Sequence, residues 1–257
     1  EDMVTEEEVL KIIGASPYIR DKALIALLWD TGIRIGELGS LKLKNVQFDD
    51  YGAILIVKGK KGWRRVRAVW SVPYIKEWME RHPNKGDPEA PLWVKISVEG
   101  DNGAMNYYGM RKQILTAVQN AGLKKRVHAH LFRHSRATEM AKHLTDAQMK
   151  EYFGWTQSSD MASVYVHLSG RDVDQAVLKA HGIETAEEDK EKKHPPKHCP
   201  RCYRLNPYES RYCFNCGGPI DLDVTTEMVR RETTGAEMSK EFAQYAAEKP
   251  NMLRDMA

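Results

Sequence analysis

A chain of 257 residues with 42% hydrophobic and 29% charged side chains has room for one large domain and a small satellite, which excludes disorder as a description of the whole. No apolar run approaches the roughly 20 residues that span a bilayer, and the opening EDMVTEEEVLKIIG is acidic where a secretory leader is basic and then apolar, so a cytoplasmic protein with no membrane partner is expected. The net charge of +3 does not by itself announce a nucleic-acid binder, and the places where the cations gather must decide.

Thr5, with Glu8 three residues on, has the spacing of a capping box, and a helix is expected from there. Leu24, Leu27 and Leu28 recur at helical spacing up to TGIRIGEL, where Gly32 ends the helix and Gly36 loosens the following turn. Arg34 therefore falls at a corner between helices. AILIVKGKKGWRRVRAV joins two β-rich runs through a glycine-containing turn, which reads as a hairpin with Lys60 near its tip. Helices are expected over about 73–82, 104–121 and 132–143 and, after the Thr145/Gln148 cap, over 146–153. Val164, Leu168 and Val173 read as a core stripe. From residue 183 to 197 charge and proline replace apolar residues, the mark of a linker. Residues 221–257 are a polar tail, helical or partly disordered. There is no internal repeat.

All four cysteines form two C-x-x-C pairs, Cys199 with Cys202 and Cys213 with Cys216. Each such turn lets two thiolates converge, and two of them complete a closed, tetrahedral Zn²⁺ site that is structural because no ligand position stays open. Disulfide or redox pairs fit less well, since cytosolic thiols stay reduced and so short a segment has no core of its own. A four-cysteine zinc ribbon is expected over residues 198–220.

The cations gather in two places. The hairpin carries Lys58, Lys60, Lys61, Arg64, Arg65 and Arg67 with no acidic residue among them, which suits tracking of a phosphate backbone or an ordinary solvated face. HAHLFRHSRAT contains His128, His130, Arg133, His134 and Arg136, and His130 and Arg133, three apart on a helix, share a face. Tyr165, in YVHLSG, would by itself be an aromatic that packs.

Taken in order, TGIRIGEL, the lysine-tipped hairpin, HLFRHSRAT, FGW and YVHLSG follow the succession of motifs in the tyrosine recombinases. Residues 3 to 182 resemble the catalytic domain of the Xer and phage-integrase family, with the segments around Tyr165 most similar to archaeal members. The resemblance implies an α+β, mainly α-helical catalytic domain over residues 1–182 with a small β-hairpin sheet. It implies catalytic roles for Arg34, Lys60 (or Lys58 or Lys61 if the register is shifted by a residue or two), His130, Arg133, Trp155 and Tyr165, a supporting role for Glu37 beside Arg34, and DNA contacts from Lys58, Lys61, Arg64 and Arg65. His134 and His167 are read as supporting or structural. A helical clamp domain that family members carry ahead of the catalytic domain is expected to be missing from this chain.

The residue types suit the implied chemistry. Attack on a phosphodiester adds charge to the non-bridging oxygens, which the permanently charged, forked guanidiniums of Arg34 and Arg133 would offset. A phenol with a pKa near about 10 needs a base, for which His130 is the candidate, or a positive field to attack phosphorus. Lys60 would protonate the departing 5′-oxygen. Trp155 would pack beside the site and offer its indole N–H to phosphate. A 3′-phosphotyrosyl bond at Tyr165 keeps the energy of the phosphodiester, so neither ATP nor a catalytic metal is expected. The implied function is site-specific recombination of double-stranded DNA by a homo-tetramer on DNA that is a monomer or dimer when free. Type IB topoisomerase-like relaxation and non-catalytic DNA binding on the same fold are the alternatives, and the complete residue set argues against the latter.

Overall fold

The computed structural model describes residues 3–59, 62–96, 103–168 and 195–221, with the single positions 177, 181, 223, 224, 226 and 230. The chain divides into two compact units between His194 and Pro195.

In the first unit, α1 (Glu6–Gly14) opens on the expected capping box: the Glu8 N–H donates to the Thr5 hydroxyl at 3.3 Å and the Thr5 N–H donates to the Glu8 carboxylate at 2.9 Å. Helix α2 (Ile19–Thr31) is the axis of the core. Ala23 to Leu28 are completely buried, so this helix has no polar face, as expected of one surrounded by protein. Around it pack α1, α4 (Val72–Glu80), α5 (Tyr107–Asn120), α6 (Ala129–Ala141) and strand β3 (Gly62–Ala68).

Helix α2 stops at Gly32, which takes a left-handed conformation at φ 59° that a Cβ would oppose. A Cβ there would also lie 2.8 Å from Phe153 Cε1 and 3.1 Å from Arg136 Cβ. Arg34 is the extended N-cap of the short helix α3 (Ile35–Gly39). Gly36 therefore lies inside a helix instead of loosening a turn, because the Arg34 N–H donates to the Glu37 carboxylate at 3.3 Å and closes the first turn.

The expected hairpin is part of a three-stranded antiparallel sheet, β1 (Val46–Asp49), β2 (Gly52–Gly59) and β3 (Gly62–Ala68). Strand β1 is too short to give a periodic signal. Gly59 stands opposite Gly62, Lys58 opposite Trp63 and Val57 opposite Arg64. Lys60 and Lys61, which join the strands, lie outside the described residues. Leu55, Val57, Val66 and Ala68 are buried, and the two-residue period of a strand places Arg64 on the same inward face as Val66.

Helix α7 (Asp146–Phe153) begins at the Thr145/Gln148 capping box and ends at Gly154, left-handed at φ 63°. Helix α8 (Met161–Leu168) carries Tyr165. Val164, expected in a core stripe, is 48% exposed, and Ala162 and Tyr165 make the buried face instead. The side chains of Leu168 and Val173 lie outside the described residues. Helices α6, α7 and α8 close a small second core of Ala137, Ala141, Met149, Phe153, Ala162 and Tyr165.

The second unit holds the antiparallel pair β4 (Lys197–His198) and β5 (Leu205–Asn206) and a bridge between Tyr212 and Pro219. Lys197, read from composition as linker, is ordered by pairing with Asn206 and by a 2.6 Å ion pair to Asp221. Residues 183–194 and most of the tail lie outside the described residues. Among the described residues no helix is long and apolar enough to cross a membrane.

Gly32→Ala is expected to lower stability by about 2 kcal/mol or more, since the left-handed backbone alone costs an L-residue about 1–2 kcal/mol and Phe153 must also move. Denaturant unfolding of the two proteins checks this, and an unchanged midpoint would contradict the close approach.

Candidate active site

The C-terminal end of α7 organises the site. A helix leaves its last carbonyls without intrahelical donors. Here the Trp155 N–H donates back to Lys150 O at 2.9 Å and the Gly154 N–H to Glu151 O at 3.2 Å, the pattern of a glycine-capped terminus. The next three carbonyls take arginines from three separate segments. Arg64 Nε donates to Tyr152 O at 3.2 Å, Arg133 Nη2 to Phe153 O at 2.6 Å, and Arg34 Nη2 and Nη1 to Gly154 O at 3.3 and 3.4 Å. The negative end of the helix dipole favours cations at this place.

Arg133 is 4% exposed. It also donates from Nη1 to Gly32 O at 2.9 Å, and its guanidinium lies 5.0 Å from the ring centre of Phe153 and 5.4 Å from that of Trp155. Burial, and after it the charge of Arg34, bring its pKa down to about 9, which still leaves it protonated at neutral pH.

Glu37 ties two of the arginines together. Its buried carboxylate accepts from Arg34 Nη1 at 3.0 Å and, in a fork, from Arg64 Nη1 at 2.9 Å and Nη2 at 2.7 Å. Burial alone would raise its pKa, but hydrogen bonds and charge from Arg64 and then Arg34 prevail and hold it below the usual carboxylate value. Arg64 thus departs from the phosphate-tracking role read for it, because it lies on the core-facing side of β3 and its donors are committed inside the protein. Strand alternation through Arg64, Val66 and Ala68 was the available signal. Lys58 and Arg65 stay exposed on the outward face, and Lys58 Nζ lies 5.9 Å from the Trp63 ring centre.

Arg34, His130 and Arg133 line one cavity of about 660 Å³, together with Tyr107, Arg111 and Arg126. The last three were missed by the motif reading, although Tyr107 and Arg111 stand one turn apart on α5 and so share a face. Tyr165 does not line this cavity. Its ring is 6% exposed and its hydroxyl shares a hydrogen bond with His134 Nδ1. The Tyr165 ring lies parallel to Trp155 at 5.6 Å, and Trp155 stacks in turn on Phe153 at 5.0 Å. His134 stands edge-on to His130 at 4.5 Å, so one imidazole separates the phenol from His130, which lines the cavity with His128. His134, read as a supporting residue, is the phenol's direct partner. The side chain of His167 lies outside the described residues.

In the second unit the four cysteine Sγ atoms lie within 4.8 Å of one another, with the Cys199–Cys216 and Cys202–Cys213 pairs at 3.6 Å. Thiolates held about 2.3 Å from a tetrahedral zinc are about 3.8 Å apart, so the four atoms suit one metal ion. The backbone N–H of Arg204 and the Asn215 side chain draw Cys202 down to about 6. At Cys216 the Gly218 N–H works the same way, but burial and the neighbouring thiols push the group up to about 11. Four adjacent thiols resist joint ionisation without a cation.

A mainly helical fold with a small sheet, bringing arginines and two histidines from separate segments to one cavity near a buried tyrosine, is the arrangement of an integrase-type domain. Residues 2–171 match the Phage integrase family, and the chain belongs to it. Tyrosine recombinase XerA of Pyrococcus horikoshii is 27% identical over 202 residues, covering 71% of this chain and 62% of that protein. Tyrosine recombinase XerC of Shewanella sp. (strain ANA-3) is 25% identical over 197 residues, covering 74% and 62%. A tyrosine recombinase of Thermosipho africanus is 30% identical over 185 residues, covering 69% and 61%. The chain thus spans about 62% of the length of the first two of these curated relatives. Among solved structures, XerA recombinase superposes with a TM-score of 0.55 at 20% identity, over 72% of this chain and 65% of the other. XerH site-specific recombinase, bound to a palindromic difH substrate in a post-cleavage complex, gives 0.52 at 24% identity, over 70% and 52%. At these identities the likeness establishes the α+β fold.

Arg64→Ala would leave Glu37 buried with one partner, at an expected cost of about 3 kcal/mol. A carboxylate whose folded pKa lies below its unfolded value, here near 4.5, stabilises fully above that value and loses its contribution as pH falls through the folded pKa. Acid titration of unfolding should therefore show the Arg64→Ala protein giving way at higher pH than the parent; coincident acid transitions would contradict the bridge.

Proposed function

We propose that the chain is a site-specific DNA recombinase that cleaves and rejoins double-stranded DNA through a 3′-phosphotyrosyl bond at Tyr165. The observation that carries this reading is the cavity lined by Arg34, His130 and Arg133, with Tyr165 one imidazole away through His134. In this reading the carbonyls of Phe153 and Gly154 are stand-ins for phosphate. They hold the two guanidiniums before DNA arrives, and an anionic phosphate oxygen is a stronger acceptor than a neutral carbonyl. The arginines then stabilise the charge that builds at phosphorus, with little reorganisation.

The phenol exchanges its bond to His134 for the scissile phosphorus and gives its proton to His130. As the new oxygen–phosphorus bond forms, the bond to the 5′-oxygen breaks, and that oxygen takes a proton from Lys60. A 5′-hydroxyl of a second strand reverses the sequence. Trp155 packs on the attacking ring, and Glu37 holds Arg34 in place. Lys58, Lys61 and Arg65 follow the DNA backbone, and four copies assemble on DNA, in the cytoplasm. In the second unit Cys199, Cys202, Cys213 and Cys216 hold one structural Zn²⁺, which when bound cross-links two turns that lack a core of their own. Residues 183–194 join the two parts.

Incubation with a nicked duplex carrying the target site should give a covalent adduct on a denaturing gel. Tyr165→Phe should abolish the adduct while keeping the noncovalent complex, and Arg133→Ala should slow its formation by about 10²–10³-fold; an adduct that survives Tyr165→Phe would overturn the assignment. Stripping the metal with a strong chelator should collapse the amide dispersion of residues 198–218 and leave adduct formation in place. Unchanged ribbon resonances after chelation would refute the zinc.

A further inference from the structure

The two cysteine knuckles are built on the same turn, and they differ at one position. The residue after the second cysteine of each is left-handed: Gly217, following Cys216, at φ 69° and Tyr203, following Cys202, at φ 57°. The second knuckle uses the residue that has no Cβ to clash. The first puts a bulky aromatic where an L-residue is strained, and among the described residues Tyr203 is the one non-glycine with positive φ. The hydrogen bonding of the knuckle explains the backbone, since the Tyr203 N–H donates to Cys199 O at 2.9 Å and His198 Nδ1 donates to Tyr203 O at 3.0 Å. It does not explain the side chain, which is 77% exposed and so adds little to the ribbon's packing. A glycine would satisfy this turn better, so nothing inside the ribbon accounts for the exposed ring.

The surroundings indicate its chemistry. From Cys199 to Gly218 the charged residues are Arg201, Arg204, Arg211 and a single acid, Glu209. Arginines near four thiolates partly offset their charge, so they alone would not identify a partner. The exposed aromatics add a second, independent feature: Tyr212 is 50% exposed, next to the exposed Arg211. Arg201 is exposed in the same turn as Tyr203, with its Cδ 3.5 Å from the place a Cβ on Gly218 would occupy, so its stem crosses toward the second knuckle. Open aromatic faces beside guanidiniums match nucleobases beside phosphates. Within a duplex the base faces are covered by stacking, whereas single strands leave them open.

We propose that the ribbon is a second nucleic-acid site, separate from the Tyr165 chemistry, which takes single-stranded nucleic acid by stacking a base on Tyr203 with Arg201 on the adjoining phosphate. The test uses the full zinc-loaded chain, labelled with ¹⁵N and titrated with octathymidylate, octauridylate and a blunt hairpin duplex, following the amides of residues 197–220. Both single strands are expected to shift these amides more than the duplex, and the tighter of the two names the natural source. Tyr203→Gly should weaken single-strand binding about tenfold, in line with the loss of one stacked base, while the temperature at which zinc is released stays level or rises. Tyr203→Asn, a second residue that tolerates the left-handed turn, should do the same, and Tyr203→Phe should keep binding. The Tyr165→Phe protein should bind these strands as the parent does, which separates this site from the cleavage reaction. Undiminished binding by both the Gly and Asn proteins, ribbon shifts that follow the duplex alone, or earlier zinc release from both proteins would overturn the proposal.

Discussion

Three guanidiniums crowd the end of one short helix, and the first unit depends on that crowding being stable. Arg34, Arg64 and Arg133 come from segments far apart in the chain, and like charges so close would part if nothing offset them. Two things do. The capped end of α7 has already satisfied two of its carbonyls with its own backbone, which leaves those of residues 152 to 154 to accept one arginine each. The buried Glu37 carboxylate then supplies a full negative charge between two of them. Gly154 makes this geometry accessible: a Cβ there would lie 3.0 Å from Arg64 Nη1.

The same arrangement keeps a charged, nearly buried Arg133 from being only a cost. Desolvating a cation is unfavourable unless its donors are used, and those of Arg133 reach Gly32 O and Phe153 O while aromatic faces cover the guanidinium. The rings of Phe153 and Trp155 that cover the guanidinium continue in a stack to the ring of Tyr165. His134 holds the hydroxyl meanwhile, so the phenol stays covered.

Much of this was legible in the sequence because it was local. Thr5 with Glu8, and Thr145 with Gln148, declare helix starts through hydrogen bonds that span three residues, and Gly32 declares a stop through its own backbone. The hairpin was visible for the same reason, and motif order supplied Arg34, His130 and Arg133 of the cavity but not Arg111 or Arg126. What escaped depends on distant partners. Arg64 reads as one more surface cation until its inward face meets Glu37. Helix α8 offered two apolar faces, and packing against α6 and α7 chose the one with Tyr165 over the one with Val164. The bond between His134 and Tyr165 joins residues thirty-one positions apart, a separation at which no periodicity speaks.

Arg64 also limits how the hairpin can move. It stands opposite Val57, and the strands remain paired as far as Gly59 and Gly62, so the anchored rung acts as a fulcrum two residues short of the loop. With strands advancing about 3.3 Å per residue, the lever beyond that fulcrum is only about 7 Å long before the connecting lysines. So short an arm keeps the Gly59–Gly62 end of the paired strands close to the arginines behind it.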